Sequence, residues 1–205
     1  MKKKKAKRIF QEELADPAFQ EPYAKAIEIV RGILEEYQEK SKAADHHRIE
    51  MISSRIKTPQ SAYDKLKRKG KELTAESAKK NLNDLAGMRV ICCYYEDVYQ
   101  VSNMLLSRPE LTLVKQKDFI CNPKSSGYRS LHLIFEVNTL ENGVRVEVQI
   151  RTITMDAWAR LDHELRYKKE LDDAGKIVKA LRRCSDSIAE VDDKMQEILE
   201  WIREA

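Results

Sequence analysis

The stretch SLHLIFEVNTLENGVRVEVQIRT, residues 130–152, decides the fold. In its first half Leu131, Leu133, Phe135 and Val137 take one face of a strand and place His132 on the other. In its second half Val144, Val146, Val148 and Ile150 share one face, while Arg145, Glu147, Gln149 and Arg151 share the opposite one. Asn142-Gly143 lies between the two runs and reads as a tight hairpin turn. A half-exposed sheet face accounts for either strand alone. Paired, the two strands can bring His132 and Glu147 onto one polar floor, although the alternation does not fix the register.

Just upstream, NPKSSGYRS crowds chemistry onto the mouth of the first strand. Gly127 lets the chain turn, Lys124 and Arg129 can hold phosphate oxygens, and Tyr128 offers a flat ring for a base. A second carboxylate comes from NDLAGMRV, where Asp84 precedes Gly87 and Arg89. Alone, Asp84 reads as a helix cap or a surface acid. Across a cleft from Glu147 it becomes a candidate magnesium ligand, because magnesium takes one or two carboxylates together with phosphate oxygens and waters. A third element, SSRIKTPQSAYDKLKRKG, sets Arg55 and Lys57 on one face of an extended segment. Ser61, Lys65 and Arg68 then rise along one side of the following helix. That surface suits a triphosphate, although basic helix faces are common in soluble proteins.

Around these segments the pattern alternates between helix and strand. Tyr23, Ile27, Val30, Leu34 and Tyr37 step as an amphipathic helix. HRIEMIS reads as a strand, Thr58-Pro59 opens a helix that Gly70 ends, and Thr74 opens a shorter one. GMRVICCYY is a buried strand, residues 98–106 a helix, and LTLVKQKDFI an alternating strand. From Ile177 through Leu181, Cys184, Ile188, Val191, Met195 and Ile198 to Ile202, a 4-3 seam marks a long terminal helix. Packing within the chain is the expectation for that seam, with a subunit contact as the sharper reading. The sum is an α+β domain with a mixed or antiparallel five-stranded sheet flanked by helices. One domain over 1–205 is expected, with core motifs at about 49–168 and flanking helices at about 21–40 and 174–204.

The 205 residues suffice for one sizeable core, and charged residues at 35% with a net charge of +4 argue against a nucleic-acid-coating protein. The start MKKKK has no apolar run after it, so it is read as a solvated tail and not as a signal peptide. No segment is apolar enough to span a membrane, and the cytoplasm is the expected compartment. None of the four cysteines forms a C-x-x-C pair, which argues against a zinc site.

SSRIKTPQSAYDKLKRKG, NDLAGMRV, NPKSSGYRSLH and VEVQIRTITMDAWARLDHELRYK, in that order, resemble the synthetase domain of the RelA/SpoT family. These are (p)ppGpp synthetases, GTP pyrophosphokinases with a nucleotidyltransferase-like fold. DHHRIE does not match the family's hydrolase motif, so the resemblance implies the small, synthesis-only type. It implies that Arg55 and Arg89 sandwich the ATP adenine, and that Lys57, Ser61, Lys65 and Arg68 hold its phosphates. Asp84 and Glu147 would bind Mg2+, with Glu147 also the base. Tyr128 would stack on the guanine of GDP or GTP, while Lys117, Lys124, Arg129 and His132 face the acceptor phosphates. Gln149, Arg151 and Asp156 lie in the same family motif, and Gln149 and Asp156 are assigned to the acceptor side. The small members are described as homotetramers, which gives the terminal helices a second use, and as binding single-stranded RNA, for which the N-terminal lysines are the candidate contact. Relatives acting on adenosine nucleotides or tRNA, and an RNA-binding regulator without turnover, remain as alternatives.

Overall fold

The computed structural model describes the chain except residues 1, 45, 141–142, 168–173 and 205, so Asn142 of the expected turn and Lys168 of the last motif lie outside the described residues. The element order is α1 (Lys2–Ala15), α2 (Pro17–Ala43), β1 (Ile49–Ile56), α3 (Pro59–Arg68), α4 (Ala75–Asn81), β2 (Ala86–Cys92), α5 (Tyr95–Leu106), β3 (Leu111–Asp118), β4 (Leu131–Val137), β5 (Arg145–Thr152), α6 (Ile153–Tyr167) and α7 (Ala174–Glu204). The strands form one mixed sheet in the order β1-β2-β5-β4-β3, with β2 and β5 parallel and the other neighbours antiparallel.

The predicted period-2 alternation is what divides this sheet. Met88, Val90, Val146, Val148, Ile150, Leu131, Leu133 and Phe135 are at most 2% exposed and form the core. The amphipathic stripe of α2 joins them through Ile27, Val30 and Leu34, and α5 through Val98, Val101 and Leu105. The opposite face carries the polar side chains of β2 and β5. Local signals set the helix ends as expected. The Thr58 hydroxyl accepts from the Ser61 amide, Thr74 from that of Ser77, and Gly70 leaves α3 at φ 62°.

Three expectations are corrected. The lysine-rich start is not a tail but helix α1, which buries Phe10 and Leu14 to 1% and 2% exposure. Two apolar residues on one side suffice to dock it, and Phe10 meets Tyr63 of α3 edge-on at 5.9 Å. Phe10→Ala is therefore expected to destabilise the fold by about 3–5 kcal/mol, read from urea unfolding midpoints. Second, β3 does not bury alternate residues. It is an edge strand with an irregularity between Leu113 and Lys115, and both Leu113 and Val114 are exposed. Third, the α7 seam packs within the chain only in its first part, through Leu181, and not in its C-terminal part. The inward face of α7 is Leu181, Ser185 and Asp192, whereas Val191, Met195, Ile198 and Ile202 are 42–68% exposed.

Candidate active site

Across the sheet, Lys117, His132, Gln149 and Arg89 stand opposite one another on β3, β4, β5 and β2. The next row runs through Glu147, Gly87 and Arg55. Residues directly paired share a face, so these rows make one polar floor. Glu147 is not opposite His132, since its β4 partner is Ile134. The contact is diagonal, with His132 Nδ1 at 3.4 Å from Glu147 Oε1.

Above the floor lies a cleft of about 760 Å³, contiguous with a smaller one of about 260 Å³, and both are lined by Arg55, Asp84, Arg89, Glu147 and Gln149. That size suits small-molecule ligands. Gly87 also borders it. A Cβ there would meet Arg55 at an ordinary 3.8 Å, so the backbone does not require glycine, and its value is the open floor between Glu147 and Arg55.

On one flank Asp84 faces the basic helix. Its Oδ2 accepts from Lys57 Nζ at 2.9 Å and from Lys65 Nζ at 2.6 Å, while Oδ1 is buried without a partner. Burial pushes this carboxyl up, but the two lysines outweigh it and hold the group below its usual range. Glu147 behaves alike. Burial raises it, and hydrogen bonds from His132 and from Gln149 Nε2 at 2.9 Å bring it below its ordinary value. The cleft thus holds two ionised carboxylates among fixed cations.

On the other flank Tyr128, Phe119 and His132 form an edge-to-face aromatic group, with ring centroids 5.2–6.1 Å apart. Lys124 Nζ sits 4.5 Å from the Tyr128 centroid and 4.7 Å from that of Phe119. Burial, followed by Lys117, lowers the Lys124 pKa. The Tyr128 hydroxyl contacts His132 Nε2 at 2.9 Å and accepts from Arg151 Nη2. Tyr128→Ala would remove an aromatic surface on which a flat ligand can stack, a contact worth about 1–3 kcal/mol, and should weaken binding of such a ligand in this cleft roughly fivefold to hundredfold, read by titration calorimetry.

Not every expected residue reaches the cleft. Ser61 is exposed, with its hydroxyl accepting from Thr58, and Arg68 is exposed beyond the lining, so Lys65 alone of that helix face lines it. Asp156 is buried below the floor, 3.2 Å from Arg151 Nη1, 3.4 Å from Arg89 and 2.9 Å from Arg160. Its place is that of an anchor for the arginines. Arg129 is turned to α7: Nη2 donates to Asp186 at 3.0 Å and Nη1 to the Ile120 carbonyl at 2.9 Å. Two lining residues carried little weight in the sequence. Phe119 closes the aromatic group, and Arg151 joins Tyr128, Gln149 and Asp156. The β5 alternation already put Arg151 on the face of Glu147.

Paired carboxylates, a cationic helix and an aromatic flank are the equipment of a phosphoryl- or pyrophosphoryl-transfer enzyme. The chain belongs to the RelA/SpoT family: residues 54–172 match the model described as "Region found in RelA / SpoT proteins". It is 42% identical over 155 residues to GTP pyrophosphokinase YwaC of Bacillus subtilis, covering 73% of each chain. To GTP pyrophosphokinase YjbM of the same organism it is 36% identical over 194 residues, covering 90% of this chain and 88% of that one. The small alarmone synthetase 1 of B. subtilis bound to its product pppGpp superposes with a TM-score of 0.81 at 33% identity, over 91% of this chain and 97% of that one. Its structure with AMPCPP gives 0.74 at 30% identity, over 92% and 97%.

Proposed function

We propose that this chain is a GTP pyrophosphokinase, which transfers pyrophosphate from ATP to the 3′-hydroxyl of GDP or GTP and yields ppGpp or pppGpp and AMP. The observation that carries the reading is Glu147 at the centre of one continuous floor, with Arg55, Lys65, Asp84 and Arg89 to one side and Lys117, Lys124, Tyr128 and His132 to the other. A relative's structure with a nucleotide product and another with an ATP analogue support two nucleotide sites in such a cleft.

The donor would lie against Arg55 and Arg89, with its phosphates toward Lys57 and Lys65. The acceptor base would stack on Tyr128, where it competes with Lys124 for the ring. The 3′-oxygen attacks the β-phosphorus, the bond from that phosphorus to the α–β bridging oxygen breaks, AMP leaves, and Glu147 takes the hydroxyl proton. Mg2+ fits the donor set, two ionised carboxylates with Asp84 Oδ1 buried and unpartnered. Asp84 and Glu147 would hold it, and it would draw charge from the donor phosphates.

No helix among the described residues is long and apolar enough to cross a membrane. A cytoplasmic enzyme is the reading consistent with its nucleotide substrates. The uncovered stripe Val191, Met195, Ile198 and Ile202 on α7 supports a homotetramer joined through terminal helices.

The test is incubation of the protein with γ-labelled ATP, Mg2+ and GDP, GTP or no acceptor. Label on the guanosine nucleotide with stoichiometric AMP, abolished by EDTA, is expected. Label that never leaves ATP for a guanosine acceptor would overturn the proposal.

A further inference from the structure

The acceptor-side loop, residues 122–129, is held from outside the sheet. Gly127 adopts φ +95°, and a Cβ there would lie 2.7 Å from Ser185 Cβ and 3.1 Å from Arg182 Cα. The loop therefore meets the backbone of α7 at a distance only glycine permits. Four hydrogen bonds fasten this approach. The Ser185 hydroxyl, 2% exposed as a residue, donates to the Gly127 carbonyl. Arg182 Nη1 donates to the Lys124 carbonyl at 3.3 Å. Arg129 donates to Asp186 at 3.0 Å and through Nε to Ser185 Oγ at 3.4 Å. Arg182 Nε also reaches both oxygens of Asp186, at 3.1 and 3.2 Å.

α7 is itself fixed to the end of the strand that carries Glu147 and to α6, which follows it. Thr152 and Thr154 both donate to Asp192, at 2.7 and 2.6 Å, and Trp158 Nε1 donates to the Leu181 carbonyl at 3.1 Å. The helix thus links the end of β5 to the loop that presents Lys124 and Tyr128. Within the loop, Gly127 N donates to the Lys124 carbonyl at 2.8 Å, and Lys124 N to the Tyr128 carbonyl at 3.2 Å. Those bonds close a tight turn but tie it to nothing outside.

We infer that Ser185, Asp186 and Arg129 are positioning residues that set the acceptor loop from α7, so that Tyr128 and Lys124 are placed for the guanosine nucleotide. This rests on the proposed function. None of the three lines the cleft. Their effect is therefore selective: the donor flank, built on β1, β2 and α3, does not touch α7 through any of these bonds.

The experiment compares wild type, Ser185→Ala, Asp186→Ala, Arg129→Ala and Arg129→Lys in the full chain. It reads KM for GDP, KM for ATP and kcat, together with amide hydrogen exchange over residues 122–130. Loss of one or two hydrogen bonds predicts about a three- to tenfold rise in KM for GDP, with KM for ATP within about twofold. Exchange in the loop should quicken while that in β2, β4 and β5 stays as in wild type. Arg129→Lys, which keeps the charge toward Asp186, should recover part of the effect. Equal rises in both KM values, or loop exchange unchanged in Ser185→Ala and Asp186→Ala, overturn the inference. If wild type transfers nothing to GDP, the functional reading fails instead, and the exchange measurement alone still decides whether α7 holds the loop. Ser185→Ala removes a single hydroxyl oxygen, so it keeps the test usable should Asp186→Ala unfold.

Discussion

Glu147→Gln should lower kcat for pyrophosphate transfer by about a hundredfold to ten-thousandfold, the range spanned by a lost general base. The substitution keeps shape and leaves an oxygen for Gln149 Nε2, so the fold should change little, while the loss of one proposed Mg2+ ligand should raise the Mg2+ concentration needed for half-maximal rate. What disappears is a carboxylate held ionised in a half-buried place. Burial favours the neutral acid, yet His132 and Gln149 more than offset it and hold the group under its ordinary 4.5. The wild-type rate should therefore show no loss assignable to Glu147 until pH falls below about 4.5. The same depression has a stability sign. A carboxyl lowered in the folded state adds stability above its unfolded pKa, and that contribution fades as pH falls through the folded value. Glu147→Gln should flatten this acid dependence in thermal unfolding. Retention of more than a tenth of the wild-type kcat would mean that another group accepts the proton.

Asp84→Asn should cost about a thousandfold in kcat/KM for ATP, since the proposed metal ligand and the counter-charge of two lysines vanish together. Asp84 Oδ2 alone receives both ammonium groups, and all three side chains are at most 26% exposed. An amide oxygen can accept both bonds but neutralises neither charge. Lys57 and Lys65, gathered on the same oxygen, would then stand side by side without a counter-charge, and an unpaired partly buried charge is costly. Stability should fall alongside activity, and the Mg2+ concentration for half-maximal rate should rise. A variant with the wild-type Mg2+ requirement would remove Asp84 from the metal site. Because the depressed Asp84 group also holds its charge in acid, the difference in stability between wild type and Asp84→Asn should shrink below the unfolded carboxyl pKa, ordinarily 3.8.

The parts legible in the sequence were those governed by short periods. The β4–β5 alternation separates core from floor residue by residue, and Thr58, Pro59 and Gly70 bound α3 where their backbone preferences put them. Asp84, Glu147, Lys65, Arg55, Arg89, Lys124, Tyr128 and His132 do converge on one cleft. What stayed hidden depended on partners distant in the chain. α1 carries so many lysines that its two buried contacts are outweighed in any local window, and the surface they meet comes from α3, α2 and α4. Arg129 looks identical to a phosphate ligand until Asp186, 57 residues later, is beside it. The α7 seam has helical spacing whether its apolar side faces inward or outward. The diagonal between His132 and Glu147 required the register, which alternation leaves undetermined.

The strand order has a consequence for biosynthesis. β5 is the last of the five strands to be made, yet it stands in the middle, joining the β1-β2 pair to the β4-β3 pair. Until it has been synthesised and inserted, the earlier strands can form only two separate ribbons, each with an open edge. The residue assigned to proton removal rides on that keystone. A nascent or prematurely ended chain thus has nucleotide-binding pieces but no means of joining them, and an ATP-consuming activity can begin only after the architecture is closed.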